Sequence, residues 1–262
     1  MISYLITALV ALLASGLSFF SGFGLGTLLL PALATTFPAA TAVAATAVVH
    51  LANNLWKLFL LQRHIDLKTG LTFGFTAVPG AAIGAGLLIY MAGLPKLYGY
   101  SLWGTQFTVD GAKALIALLI LVFAFIELSP VLKKIDLPSR WIPVGGFMSG
   151  LFGGLSGHQG AIRSVFLART AHNGQEFVAT RALCATMVDV ARLAVYIGFA
   201  GGVSLLSLPG RGHRLLLTAI ACAFVGSFIG TKLIAKTTLG TVRKLVGWAL
   251  VMLSIALGAG WI

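Results

Sequence analysis

The sequence predicts an all-α polytopic membrane protein made of two inverted-topology repeats. Three observations predict it: long apolar runs, a repeat at a fixed offset, and a glycine-rich break at the same place in each half. Of the 262 residues, 58% are hydrophobic and only 9% are charged, with a mean hydropathy of +1.00. A soluble domain has a far more polar composition. Runs of the roughly 20 residues needed to cross a bilayer can be drawn at 2–20, 38–61, 70–91, 110–128, 142–157, 175–199, 214–235 and 243–262. A membrane barrel would instead show segments of about ten residues with alternating polarity.

The formal net charge of +12 would suit nucleic acid if it were gathered into a patch. It is instead scattered through short connections between apolar runs, where it sets topology, so no nucleic-acid partner is expected. Cys184 and Cys222 both lie inside apolar runs without metal-ligand spacing. Neither a disulfide framework nor a metal site is expected, and no cofactor motif is present. The opening MISYLITALV has no Lys or Arg before its apolar run, unlike a cleaved signal peptide, and is expected to belong to the mature protein.

The second observation comes from sliding the chain against itself by 134 positions. Ser15-Gly16-Leu17 then falls on Ser149-Gly150-Leu151, Gly26 on Gly160, Leu33-Ala34 on Leu167-Ala168, Thr36 on Thr170, and Ala45-Thr46 on Ala179-Thr180, without a gap. Gly80 and Gly84 pair with Gly226 and Gly230 if the second half carries a longer loop. The expected units are therefore 1–135 and 136–262. Duplicated membrane halves commonly build transporters, with the substrate held where the repeats meet.

The third observation concerns how each half begins. Residues 2–36 as one straight helix would run roughly 50 Å at 1.5 Å per residue, well beyond a hydrocarbon core of about 30 Å. Glycines mark the expected break at Gly22-Phe23-Gly24-Leu25-Gly26 and at Ser156-Gly157-His158-Gln159-Gly160. The segments that follow, TLLLPALATT and AIRSVFLART, are too short to span. Each half is thus expected to hold a re-entrant or broken helical hairpin plus three transmembrane helices. That gives an odd number of crossings and inverts the second half. Arg63, Lys68, Lys133, Lys134, Arg140, Arg169, Lys236, Arg243 and Lys244 then share one side, with Lys96, Arg211 and Arg214 on the other. The positive-inside rule makes the first side cytoplasmic and places both chain ends outside.

Irregular backbone at membrane depth must line a cavity or be buried in protein, because lipid cannot satisfy its polar groups. Both breaks are therefore expected to face inward. A half-helix starting at Gly160 turns free N–H groups and a positive dipole end toward the midplane, which suits an anion. The expected substrate-binding residues are Ser156, His158, Gln159, Gly160 and Arg163 of the second break, with Gly22, Gly24 and Gly26 of the first. Arg163 offers a planar fork of donors for an oxyanion. The first half has Leu29 where the second has Arg163, so recognition is expected to be one-sided. On the next helices, His50, Asn53, Asn54 and Lys57 share one face, while Arg181, Asp189 and Arg192 lie on the related helix. Charges inside spans often mark a pathway or proton relay, and His50, Asn53, Asn54, Asp189 and Arg192 are candidates for one. Each also has a structural alternative: Asp189 and Arg192 pairing with each other, Asn53 and Asn54 joining helices, Lys57 and Arg192 snorkelling to an interface. Gly80, Gly84, Gly146, Gly150, Gly154, Gly226 and Gly230 suit close helix packing.

The stretches GFGLGTLLLPALATTFPAATAVAAT at 22–46 and GFMSGLFGGLSGHQGAIRSVFLARTAHNGQEFVATRAL at 146–183 resemble the TauE/SafE family of sulfite and organosulfonate exporters. The likeness covers essentially the whole chain. It implies a multi-pass protein of the cytoplasmic membrane that exports sulfite, sulfoacetate or a related sulfur-containing anion. His158-Gln159 departs from the glycine-rich form of the family's break, which leaves the particular anion open. The expected partners are the small anion and the bilayer; nothing in the sequence excludes a homodimer. The leading expectation is a secondary transporter working by alternating access, not an enzyme. An anion channel with the same pore is the alternative, and Gly154-Leu155-Ser156-Gly157 leaves an intramembrane serine hydrolase as a weaker one.

Overall fold

The computed structural model describes residues 2–21, 25–129, 138–167, 170, 173–198, 210–233 and 239–261. Among the described residues, ten α-helices fall into two series of the same order. The first is α1 (Ile2–Ser21), short α2 (Leu25–Ala34), α3 (Ala39–Leu61), α4 (Leu67–Ala92) and α5 (Gly111–Leu128). The second is α6 (Ile142–Ser156), short α7 (Gly160–Leu167), α8 (Gly174–Gly198), α9 (Gly210–Leu233) and α10 (Leu239–Gly258). The boundaries follow local chemistry. Asp66 and Asp110 cap α4 and α5 by accepting from the backbone N–H of Thr69 at 3.0 Å and Lys113 at 2.8 Å. Gly157 ends α6 in the left-handed region at φ 80°, where only glycine sits without strain.

The second break folds back as expected. Ser149 Oγ in mid-α6 donates to the carbonyl of Gln159 at 3.1 Å, and a Cβ on Gly145 would run into the ring of Phe166 near the end of α7. At ten and eight residues, α2 and α7 extend only about 15 and 12 Å, less than a bilayer core. Each lies against the long helix before it.

One expectation needs correction. The chain is not wholly helical. In a chain expected to be all-α, residues 96–110 form an antiparallel hairpin of β1 (Lys96–Leu102) and β2 (Thr105–Asp110), with Leu102 opposite Thr105. Its turn, Trp103-Gly104, has φ of 50° and 78°, the positive pair that two-residue hairpins require. The hairpin is fastened to the end of α10, where Tyr100 Oη donates to the carbonyl of Ala259 at 2.8 Å and Trp261 Nε1 donates to Tyr100 Oη at 3.0 Å. The eight apolar runs are met in part. Among the described residues, three helices are long and apolar enough to cross a bilayer alone: Ala39–His64, Leu67–Ala92 and Gly210–Lys232. Helix α8 matches them in length at 25 residues, but it carries Glu176, Arg181, Asp189 and Arg192.

Helix pairing is reciprocal between the series. α1 packs on α9 and α6 on α4, while α3 meets α8 and α5 meets α10. Glycine permits the first two contacts. A Cβ on Gly80 would lie 2.3 Å from the carbonyl oxygen of Phe147, one on Gly150 2.0 Å from that of Ala77, and one on Gly226 2.1 Å from that of Leu12. Small residues give backbones this proximity in membranes, where packing and not water drives helix association. The expectation of close packing is met at Gly80, Gly84, Gly146, Gly150, Gly154 and Gly226. Alanines do the same at the centre: Ala42, Ala44, Ala45 and Ala47 of α3 and Ala179 and Ala185 of α8 are fully buried. These central helices carry Asn53, Asn54 and Lys57 (α3) and Arg181, Asp189 and Arg192 (α8), all buried.

Candidate functional site

A hollow lies where the two series meet. Its wall contains Leu25, Gly26 and Thr27 at the start of α2, and Gly157, Gln159, Gly160 and Arg163 from the second break and α7. His50, Asn54 and Lys57 of α3, Arg181 of α8 and Ser18 of α1 complete its polar lining. The two breaks touch: a Cβ on Gly26 would stand 3.4 Å from the carbonyl oxygen of Gly157. Both half-helices therefore begin at one space, as the glycine pattern predicts.

Arg163 supplies the most direct side chain. It is 4% exposed, and its placement follows from folding back at Gly157, which sets α7 against α6 and α8. One guanidinium nitrogen donates to Gln159 Oε1 at 3.1 Å, while buried Nε has no hydrogen-bond partner among the described residues. A buried cationic donor without a partner costs free energy unless something negative reaches it.

Behind Arg163 stands a network centred on Asp189, which is fully buried. Asp189 Oδ1 accepts from Arg192 Nε at 3.0 Å and Nη2 at 2.6 Å, and from Gln159 Nε2 at 3.2 Å. Oδ2 accepts from His50 Nδ1 at 2.7 Å and from Asn54 Nδ2 at 3.3 Å. Arg192 also donates to the carbonyl of Gly153 at 3.0 Å, fixing α8 to the end of α6. One carboxylate thus ties α3, α8 and the second break together. Its five charge-assisted bonds are what a buried acid requires.

The expected residues divide cleanly. Gln159, Gly160, Arg163, Gly26, His50 and Asn54 line the hollow. Asp189 and Arg192 sit behind it as the expected pair, and Arg192, with none of its surface exposed, does not snorkel. Lys57 is likewise buried and faces the hollow. Its Nζ donates to Ser18 Oγ, so the snorkelling reading is wrong for both. Asn53 turns away and joins helices: in the orientation that satisfies its amide, the nitrogen donates to Ser15 Oγ of α1 at 2.9 Å and Ser227 Oγ of α9 at 2.6 Å.

Ser156 and His158 are not among the residues that line the hollow. The Ser156 hydroxyl donates to the carbonyl of Phe152 in its own helix at 3.1 Å. His158 hydrogen-bonds the Ser156 carbonyl through Nδ1 at 2.9 Å and stacks on Phe123, ring centres 5.9 Å apart. Gly22 and Gly24 lie outside the described residues. Lys57 and Arg181 were visible in the sequence but not assigned to binding. The seven-residue spacing of Lys57 from His50 was the available signal; Ser18 and Thr27 gave none. Among the described residues no group of three or more His, Cys, Asp or Glu side chains could hold a metal.

Arrangement and chemistry agree on a basic hollow at the meeting of two glycine breaks inside an apolar helical protein. No curated protein sequence and no solved structure matches the chain. Residues 7–257 match the family described as Sulfite exporter TauE/SafE. With nearly its whole length matched, this integral membrane protein belongs to the TauE/SafE family of sulfite exporters.

Proposed function

We propose that the protein is a secondary transporter of the cytoplasmic membrane that exports a small sulfur-containing anion, sulfite or an organosulfonate such as sulfoacetate, by alternating access. One observation carries this reading: Arg163, buried with Nε unpartnered, lies on a hollow bordered by the starts of both short helices. Positive dipole ends, a planar cationic fork and the Lys57 and Arg181 side chains together favour an oxyanion. Gln159 holds Arg163 in place, and Asp189 holds Gln159. Asp189 is itself bonded to Arg192 and His50, so its charge is offset before an anion arrives.

Alternating access is supported by the reciprocal pairing of α1 with α9 and α6 with α4. This is the pattern expected of two inverted repeats spanning about 1–135 and 136–262, with the anion near the midplane. The serine-hydrolase reading gains no support from a Ser156 hydroxyl committed to its own helix. The test is flux of sulfite and sulfoacetate into or out of proteoliposomes. Saturable counterflow is expected, with a large loss in Arg163→Ala. Undiminished flux in that variant would refute the site, and single-channel currents would replace the carrier with a pore.

A further inference from the structure

Within the hollow, His50 occupies a position that binding alone does not explain. Its Nδ1 lies 2.7 Å from Asp189 Oδ2. A carboxylate in this network can only accept, so Nδ1 carries a hydrogen. The opposite edge of the ring faces the first break: a Cβ on Gly26 would stand 3.6 Å from His50 Cδ2 and 3.9 Å from Nε2. Nε2 has no hydrogen bond among the described residues, and the side chain keeps 13% of its surface open while Asp189 keeps none. One nitrogen is anchored on the buried acid; the other is turned toward the space where an anion would sit.

The charged groups around this ring are few. α8 contributes Asp189, Arg192 and Arg181, α7 contributes Arg163, and α3 itself contributes Lys57 beside the neutral Asn54. α2 and α1 complete the wall with Leu25, Gly26, Thr27 and Ser18, none of which titrates. Asp189 accepts five hydrogen bonds and cannot take a proton without giving up some of them: those from Arg192 and Gln159 at Oδ1, or those from His50 and Asn54 at Oδ2. The arginines do not lose theirs. Histidine is the side chain whose ordinary charge change falls between about pH 5 and 8, and here a change at Nε2 leaves the Nδ1–Asp189 bond intact.

We propose that His50 Nε2 is a proton-binding site coupled to the anion, so that proton and anion occupy the hollow together. This inference rests on the anion-binding reading above. An anion entering beside Nε2 stabilises the imidazolium; one proton passes from hydronium or a buffer acid to Nε2, breaking one bond to hydrogen in the donor and forming one N–H bond, and it returns to solvent when the anion leaves. Coupling of two ligands is reciprocal, so the proton strengthens anion binding by the same factor as the anion strengthens proton binding. A monovalent anion carried with one proton moves no net charge. Its flux then responds little to membrane potential, which otherwise contributes about 2.3 kcal/mol per charge per 100 mV.

Isothermal titration of the purified protein with methanesulfonate and with sulfate tests this, because neither probe titrates between about pH 6 and 9. Repeating the titration in buffers of different ionisation heat counts the protons taken up. On the alkaline side, about one proton per anion and a dissociation constant rising roughly tenfold per pH unit are expected, with both effects lost in His50→Gln. Binding without proton uptake in the unaltered protein overturns the inference and leaves the anion site standing. Proton uptake that survives His50→Gln but disappears in Lys57→Gln overturns it too. Absence of binding by either probe removes the anion site and this inference together.

Discussion

The helices that follow the two glycine breaks both begin at the hollow and differ in chemistry. After the first, α2 continues with Leu29 and Leu30, both almost wholly buried in the apolar core. After the second, α7 places Arg163 at the position aligned with Leu29, bonded to Gln159 and open to the hollow. The first half adds its polar groups one helix later, with His50, Asn54 and Lys57 on α3, while the aligned stretch of α8 places Cys184, Val188 and Ala191 there. Two short helices start at one space, and the polar groups around it are distributed unevenly between the two series.

Predictions follow from breaking that asymmetry. The largest effect is expected at the Asp189 hub. Asp189→Ala leaves Arg192 as an uncompensated buried charge, at a cost of about 3–5 kcal/mol, seen as a large fall in thermal unfolding temperature of the purified protein. The next is a matched pair. Arg163→Ala should weaken oxyanion binding roughly 10- to 100-fold. Leu29→Ala should leave affinity nearly intact and cost about 2–5 kcal/mol of stability. Equal losses of affinity in both would mean that recognition is shared by the two breaks. Third, Gly157→Ala forces a side chain into the left-handed region, at about 1–2 kcal/mol. Gly26→Ala meets only ordinary contacts at 3.4 and 3.6 Å and should cost less in the same melting experiment. The smallest effect is expected for Ser156→Ala, because the hydroxyl bonds a carbonyl that its helix already uses. Flux unchanged within about twofold would agree; a collapse of flux would bring Ser156 back to the site.

What was legible in the sequence follows from the same physics. Apolar runs gave the long helices, since lipid and a packed core both select for them. The breaks were legible because a helix cannot exceed the bilayer without turning, and glycine marked where. The Trp103-Gly104 hairpin was not legible. Tyr98, Tyr100, Leu102 and Phe107 merge with neighbouring apolar residues, and the tip lacks the Asn-Gly or Asp-Gly pair that usually announces such a turn. The hub at Asp189 was visible only as its local pair with Arg192. Its bonds to His50, Asn54 and Gln159 join residues 139, 135 and 30 positions away, and no local pattern records such partners. Asn53 shares a helical face with His50 and Lys57 by spacing, yet α1 and α9 claim it, because a buried amide goes where acceptors are.

The glycine contacts have a consequence for partition. Where a backbone oxygen sits within about 2 Å of a missing methyl, no side chain separates the two helices, so α1 lies directly on α9 and α4 directly on α6. Each such couple draws one member from the front of the chain and one from the back. Severing the chain at its midpoint would therefore leave each fragment with helix faces whose packing partner is in the other.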